Sequence, residues 1–187
     1  MWSVCETEFG DRHLSTVRYV TVLQGDSKVS NDPDVVFTTV LGSCVAVCLH
    51  DPHASVGGMN HFLLPGGKEQ NSNDMRYGVH SMEILINDLL KSGALRSRLV
   101  AHVYGGASVI KNRSNIGGSN IDFATRFLRN ESIRCLESNV GGTLARRVKL
   151  HAVTGRVKHV LVEDPGAVPP PKPVARPSVA PSDVTLF

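Results

Sequence analysis

The alternation of hydrophobic and polar positions predicts a series of short β-strands interrupted by two amphipathic helices. Runs rich in β-branched and aromatic residues favour extended backbone, and clusters of Gly, Pro, Asn and Asp between them favour turns. The predicted strands cover residues 17–23, 35–40, 45–50, 59–64, 99–104, 133–136, 148–153 and 157–162. The polar stretch QGDSKVSNDPD, residues 24–34, is predicted to be a loop.

Two of these strands are predicted to form a β-hairpin. The sequence DPHASVGG, residues 51–58, places Asp-Pro and Gly-Gly turn signals between two apolar runs. If the turn is centred near Pro52, Cys44 lies opposite His61 with Cβ atoms about 5 Å apart. A change of one residue in register would instead put Phe62 opposite Cys44 and turn His61 to the other face.

The two helices are predicted from a spacing of three and four residues between apolar positions. In residues 78–93 this spacing places one set of side chains on a common face: Val79, Met82, Ile86, Leu89 and Leu90. The stripe formed by Met82, Leu85, Ile86 and Leu89 is interpreted as a core face. A second helix is predicted over residues 121–128, with Asn120 as its N-terminal cap.

The chain of 187 residues is long enough to bury one hydrophobic core. Seven of its ten prolines lie at or beyond residue 165, so that segment has too few apolar side chains to build a core. We therefore expect a flexible N-terminal arm over residues 1–16, a folded domain over residues 17–164 and a disordered Pro-rich tail over residues 165–187.

Composition excludes several classes of function. Aromatic residues make up only 5% of the chain and its Lys and Arg residues are scattered, so nucleic-acid binding is not indicated. The apolar runs are too short to cross a bilayer. Four irregularly spaced cysteines without a preceding secretory signal predict free thiols in a reducing cytoplasm. The net charge of +3 is compatible with acidic protein partners.

The candidate chemistry centres on Cys44, which follows a Gly42-Ser43 bend at the start of an apolar strand. A cysteine at such a terminus resembles a nucleophile whose neighbouring backbone N–H groups can stabilise an oxyanion. An ordinary thiol has a pKa of about 8.5, so it needs a partner such as His61 to be activated at neutral pH. The alternative is that Cys44 is a buried small hydrophobic residue and His61 an incidental residue of the hairpin.

Two further interpretations stay open. Five residues could in principle ligate zinc: Cys44, Cys48, His50, His53 and His61. Their spacing is not that of a zinc knuckle and strands alternate faces, so Cys48 is more simply a core residue. Arg146 and Arg147 could bind a carboxylate or could merely lie in solvent at a strand end.

Beyond these patterns, the motifs TTVLGSCVAVCLHDP and GGMNHFLLP resemble the signature of the CheD family of chemoreceptor glutamine deamidases. Further segments match family blocks in the same order: RYGVHSMEILINDLLKSGA, VYGGASVI, NIGGSN and NVGGTLARRV. The resemblance implies an α/β (α+β) sandwich of mixed β-sheets with flanking helices, shared with other cysteine hydrolases including toxin deamidases. It covers about residues 17–162.

The resemblance also implies roles for individual residues. Cys44 would be the nucleophile, His61 its base and Thr38 the third catalytic residue, with Thr39 as the substitute if the local register differs. The backbone at Gly42 and Ser43 would support the oxyanion. Asn139 stands where an aspartate is common and Ala145 where a glycine is common, which puts any contact of that loop with substrate in doubt.

The implied activity is conversion of receptor glutamines to glutamates through a cysteine thioester, with no cofactor and no metal. The implied partners are the cytoplasmic helical bundle of a methyl-accepting chemoreceptor and a CheC-type chemotaxis phosphatase. Two alternatives remain: a non-catalytic module that docks on the receptor or the phosphatase, and another cysteine amidohydrolase of the transglutaminase or peptidase kind.

Overall fold

The structure, a computed structural model, describes residues 17–64, 72–108 and 116–163. Within these residues the chain forms nine strands, two α-helices and one 3₁₀ turn, Arg96–Arg98. The elements in chain order are β1 (Arg18–Thr21), β2 (Ser27–Ser30), β3 (Val35–Leu41), β4 (Val45–Asp51), β5 (Val56–Asn60), α1 (Ser72–Lys91), β6 (Val100–Gly105), α2 (Ile116–Asn130), β7 (Arg134–Val140), β8 (Ala145–His151) and β9 (Val157–Val162).

The strands form two sheets that pack face to face. The four-stranded sheet has the order β1-β3-β8-β9, and the five-stranded sheet has the order β2-β5-β4-β6-β7. The β1–β3 and β6–β7 pairs are parallel and the other pairs are antiparallel. Helix α1 packs on β5 and β2, and α2 packs on β4, β6 and β7. The expected sandwich of mixed sheets with helices is confirmed.

The central strand β4 separates two hydrophobic cores because successive side chains of a strand point to opposite faces. Val45, Val47 and Leu49 face the helices, whereas Ala46 and Cys48 face the four-stranded sheet. All seven residues of β4 are buried. This explains why the strand is a continuous apolar run, and it confirms Cys48 as a core residue.

Two predictions in the hairpin region were wrong. Strand β2 lies within the segment that was predicted to be a loop, because pairing with β5 compensates for its weak pattern. Gly57 and Gly58 belong to β5 rather than to the turn. They are required by close packing: a side chain at Gly57 would collide with the backbone carbonyl of Ala152. The turn therefore occupies residues 52–55.

The helix predictions were correct in kind but wrong in detail. The core face of α1 contains Met82, Leu85, Ile86 and Leu89 as expected, whereas Val79 is 40% exposed. Gly78 takes the core position one turn earlier, where the Phe123 ring leaves no room for a side chain. Asn120 is not a cap: it lies inside α2, is fully buried and bonds to three backbone groups of the site.

The predicted N-terminal arm and Pro-rich tail lie outside the described residues. Within the described ranges, no helix is long and apolar enough to cross a membrane.

Candidate active site

The nucleophile candidate lies where the chain crosses from one sheet to the other. Strand β3 ends at Leu41 in the four-stranded sheet, and β4 begins at Val45 in the five-stranded sheet. The backbone bends at Gly42 and Ser43, as the sequence predicted. Cys44 follows this bend as a half-buried free thiol that packs against the core between the sheets.

The carbonyl groups of the bend are held by neighbouring elements. The Gly42 carbonyl accepts from the Ala107 N–H at 2.8 Å, and the Cys44 carbonyl accepts from the Gly106 N–H at 2.7 Å. The Ser43 carbonyl accepts from Asn120 Nδ2 at 3.0 Å. No hydrogen bond from the Ser43 or Cys44 N–H to another residue is found in the described part of the chain. The three carbonyl groups of the bend are thus held by neighbouring elements, whereas the Ser43 and Cys44 N–H groups have no other partner among the described residues.

The predicted register of the hairpin was wrong by two residues. Val45 bridges to Phe62, and Cys48 pairs with Met59, so His61 lies opposite Ala46 rather than Cys44. The turn is centred between His53 and Ala54 rather than near Pro52, one residue later than expected. A shift by two positions preserves the face of each side chain, because the period of a strand is two. Cys44 and His61 therefore share the face toward the four-stranded sheet as diagonal neighbours. The Cα atoms of such neighbours are typically about 7–8 Å apart.

His61 is anchored by its backbone and by one ring nitrogen. Its N–H donates to the Asp26 carbonyl at 3.0 Å, and its carbonyl accepts from the Gly25 N–H at 2.7 Å. Its Nδ1 lies 2.9 Å from Thr39 Oγ1 and 3.3 Å from the Val22 carbonyl oxygen. The Thr39 hydroxyl itself donates to that carbonyl at 2.8 Å.

These contacts fix the tautomer of His61. A carbonyl oxygen can only accept, and the proton of the Thr39 hydroxyl is already given to Val22, so His61 Nδ1 must carry the hydrogen. The other nitrogen, Nε2, then carries the lone pair. Nε2 is buried and has no hydrogen-bond partner among the residues that the structure describes. A buried, unpaired basic nitrogen on the face of Cys44 is suited to accept the proton of a thiol.

The structure corrects the threonine that was expected to contact His61. Thr39, and not Thr38, forms the hydrogen bond to the imidazole. The odd-numbered residues Val35, Phe37 and Leu41 of β3 face the other sheet, and Thr39 is on this side while Thr38 is on the opposite side. Thr38 is half-buried and pairs with Thr21 and Lys149 within its own sheet. Because β3 is apolar on both sides, its sequence gives no sign of this alternation.

Burial shifts the pKa values of both Cys44 and His61. Burial raises the pKa of the Cys44 thiol above its ordinary value, and its own backbone N–H only partly opposes this. Burial lowers the pKa of His61 below 6.5, against the opposing effects of the Val22 carbonyl and Asp26. Each group is thus favoured in its uncharged form. The thiol donates to Gln24 Oε1 at 3.4 Å.

Two residues that support the site have roles other than those expected from the sequence. Asn120 joins the bend to the segment after His61, because its Oδ1 accepts from the Leu64 N–H at 2.8 Å while its Nδ2 donates to Ser43. Arg146 does not lie in solvent: it is 3% exposed and donates to the carbonyls of Gly105 and Gly141 at 2.8 and 2.7 Å, and no carboxylate of the described residues pairs with it. A buried asparagine inside an apolar helix pattern was the available signal for the first.

The residues considered as zinc ligands are dispersed. Cys48 lies in the core between the sheets, and His50 Nε2 is 2.9 Å from the Val153 carbonyl oxygen. No group of three or more His, Cys, Asp or Glu side chains with a metal-binding arrangement occurs in residues 17–64, 72–108 and 116–163. Of the two departures from the family pattern, Asn139 lies in β7 and Ala145 is buried at the start of β8.

A family model and several sequence relatives match this chain, and they point to the same family. The family model described as CheD chemotactic sensory transduction matches residues 63–160. A probable chemoreceptor glutamine deamidase CheD 1 of Ruegeria sp. (strain TM1040) is 56% identical over 78% of this chain and 78% of its own. A probable chemoreceptor glutamine deamidase CheD of Caulobacter vibrioides is 51% identical over 90% of this chain and 92% of its own.

Among solved structures, the hypothetical protein YfiH of Bacillus licheniformis aligns with a TM-score of 0.43 and 11% identity, over 61% of this chain and 50% of that one. This likeness is too distant to inform function. The sequence relatives are close and span most of both chains. The chain therefore belongs to the CheD family.

Proposed function

We propose that the protein hydrolyses glutamine side-chain amides of chemoreceptors to glutamates, with Cys44 as the nucleophile and His61 as the general base. The observations that carry the proposal are the contacts of His61: Nδ1 lies against Thr39 Oγ1 and the Val22 carbonyl, and Nε2 is buried without a hydrogen-bond partner among the described residues. The substrate class comes from the relatives, whose names describe chemoreceptor glutamine deamidases. The acidic surface expected of a receptor bundle suits a mildly basic protein.

The chemistry begins from an uncharged pair. Since burial raises the pKa of Cys44 and lowers that of His61, the thiol proton moves to His61 Nε2 as Sγ attacks the amide carbon. The carbonyl oxygen becomes an oxyanion, for which the backbone N–H groups of Ser43 and Cys44, at the bend beside Sγ, are the proposed donors. Removing one such donor typically costs a factor of about 10² to 10³ in kcat.

The remaining steps return the enzyme to its starting state. Collapse of the tetrahedral intermediate breaks the carbon–nitrogen bond, and ammonia leaves with the proton from His61, so a glutamyl thioester remains on Cys44. His61 Nε2 then takes a proton from water, and the resulting hydroxide attacks the thioester carbon. The carbon–sulfur bond breaks, glutamate is released and the thiolate recovers its proton from His61. Thr39 positions the imidazole throughout, and no cofactor enters any step.

The proposal places the protein in the cytoplasm, where the signalling domain of a receptor is accessible. A CheC-type phosphatase is a second proposed partner, implied by the family resemblance. The competing function is a docking module whose thiol takes no part in chemistry.

The test is incubation of a purified receptor cytoplasmic fragment with the protein in ¹⁸O-labelled water, followed by peptide mass spectrometry. We expect glutamate at discrete former glutamines, with one ¹⁸O atom in each new carboxyl group, and no conversion with Cys44→Ala. Added methylamine tests for transglutamination, because that activity would yield methylamide products. A folded protein that binds the fragment but leaves every glutamine unchanged would favour the docking module.

A further inference from the structure

The side chain in hydrogen-bond contact with the nucleophile in this structure is itself a glutamine. The Cys44 thiol donates to Oε1 of Gln24 at 3.4 Å. Gln24 is not part of the proposed chemistry, and its side chain is solvent-exposed. A primary amide carried by the chain thus occupies the solvent side of the thiol, which is the side from which a substrate amide must approach.

The segment that carries Gln24 is a tight turn held firmly in place. The Asp26 N–H donates to the Leu23 carbonyl at 2.9 Å, and Gly25 has φ of 89°, as expected for the third residue of a type II turn. This conformation favours glycine at position 25 and puts Gln24 at the second position, with its side chain free to extend from the turn.

The turn is also joined to the base. The Gly25 N–H donates to the His61 carbonyl, and the Asp26 carbonyl accepts from the His61 N–H, at 2.7 and 3.0 Å. The Val22 carbonyl, one residue before the turn, accepts from both Thr39 and His61. The backbone of Gln24 therefore has a fixed position relative to the imidazole, and only its side chain must move to expose the thiol.

We propose that the Gln24 amide is an internal stand-in for the substrate amide, which caps the Cys44 thiol and must be displaced when a substrate glutamine binds. The contact with Gln24 lowers the reactivity of Cys44 in two ways. By accepting from S–H, Oε1 stabilises the neutral thiol over the thiolate. By lying over sulfur, the side chain also competes for the space of an incoming amide. This inference rests on the proposed deamidation only for the identity of the displacing ligand.

The first test measures Cys44 itself and needs no receptor. Iodoacetamide is a suitable probe because it alkylates thiolates and carries the primary amide of a glutamine side chain. Alkylation of Cys44 is followed by tandem mass spectrometry, with exposed Cys135 as the internal reference. For Gln24→Ala we expect alkylation about 2- to 10-fold faster than wild type, the range that one lost hydrogen bond allows.

Two matched variants separate the causes. Gln24→Met keeps a long side chain without an amide acceptor, so its rate should lie between those of wild type and Gln24→Ala. Leu23→Ala alters a neighbouring exposed residue of the same turn and should leave the rate unchanged. An unchanged or slower rate for Gln24→Ala would overturn the inference, as would an equal acceleration by Leu23→Ala, which would indicate a loosened turn.

The second test uses the receptor fragment. Gln24→Ala should lower KM for deamidation while kcat changes little, because the cap competes with substrate binding rather than with chemistry. A raised KM would overturn the inference by showing that Gln24 assists binding. If alkylation accelerates as expected but neither protein converts any receptor glutamine, the cap is supported and the proposed function fails, so the two failures are distinguishable.

Discussion

The contact between Thr39 and His61 gives the sharpest prediction on the proposed mechanism. Thr39→Val replaces the hydroxyl with a methyl group of nearly the same size at a position that is 4% exposed. His61 Nδ1–H then loses its 2.9 Å partner and keeps only the 3.3 Å contact with the Val22 carbonyl. A lost hydrogen bond of this kind, with one group left poorly satisfied in the interior, costs about 1–3 kcal/mol.

If that cost falls on the orientation of His61 in the transition state, kcat should decrease about 5- to 140-fold, since 1.4 kcal/mol corresponds to a factor of ten. The assay is the rate of receptor glutamine conversion at saturating fragment. Thr38→Val is the matched control: the same substitution one residue away, on the other face of β3, should leave kcat near that of wild type. Thr39→Ser keeps the hydroxyl and should restore most of the activity.

The pH profile distinguishes positioning from a general loss of structure. An acceptor on Nδ1–H stabilises the imidazolium, so its removal should lower the pKa of His61 and shift the acidic limb of kcat to lower pH. A profile that stays in place while kcat falls would indicate that Thr39 only supports the fold. If Thr38→Val lost as much activity as Thr39→Val, the reasoning from strand faces would be refuted.

Three further predictions concern the pH dependence of activity, the stability of the fold and the contact that supports the bend before Cys44. Because burial lowers the pKa of His61, kcat/KM of the wild type should fall on the acid side with a midpoint below about pH 6.5, as the base becomes protonated. A midpoint above about pH 6.5 would contradict this burial effect. Asp51→Asn should reduce the free energy of unfolding in urea by about 1.5–3 kcal/mol, because the buried carboxylate loses its ion pair with the partly exposed Arg98 and its bond from the Leu95 N–H. Asp88→Asn, in an exposed pair, should cost under about 1 kcal/mol, and similar values for both would refute the assignment. Asn120→Ala should lower kcat about tenfold with KM nearly unchanged in the receptor assay, because the Ser43 carbonyl loses its hydrogen-bond partner. An unaltered kcat would show that the bend keeps its conformation without Asn120.

The pH dependence of stability should carry the signature of Asp51. Burial alone would raise the pKa of its carboxyl, but the N–H groups of Leu95, Ala54 and His53 together with the Arg98 guanidinium outweigh burial and lower it from 3.8 to about 2. A depressed carboxyl pKa stabilises the fold above the unfolded value and loses this contribution as pH falls through the folded value. The unfolding free energy of the wild type should therefore decline between about pH 4 and 2 more than that of Asp51→Asn, and equal declines would contradict this role.

Much of the fold could be predicted because local pattern and tertiary packing agree over most of the chain. Strands β3, β4, β6 and β9 follow from their β-branched runs, and the core face of α1 follows from its periodicity. Strand β2 could not be predicted, because its four residues have little preference of their own and are ordered by pairing with β5. Gly57 and Gly58 carry a turn signal, and only the close approach of Ala152 shows why they lie in a strand.

The residues of the site also divide into those that the sequence predicts and those that depend on tertiary packing. Cys44, His61 and the bend before Cys44 could be predicted from the motif and from the need of a thiol for a base. Their side chains share a face despite the error of two residues in register. Thr39 could not be separated from Thr38, because both faces of β3 carry one threonine among apolar residues and only the second sheet determines which side faces His61. Gln24 was assigned to a loop. Its contact with the thiol depends on a turn that is hydrogen-bonded to His61, which lies 37 residues later in the chain, so nothing in the sequence indicates it.

The most direct test of the central claim compares single cysteine and histidine variants in one receptor assay. Purified receptor cytoplasmic fragment is incubated with wild type, Cys44→Ala, His61→Ala and the control Cys135→Ala, and glutamine conversion is mapped by mass spectrometry. The account predicts conversion at the same glutamines with wild type and Cys135→Ala, and none with the two active-site variants. Conversion that persists in folded Cys44→Ala would contradict a thioester mechanism and remove the basis of the proposed function.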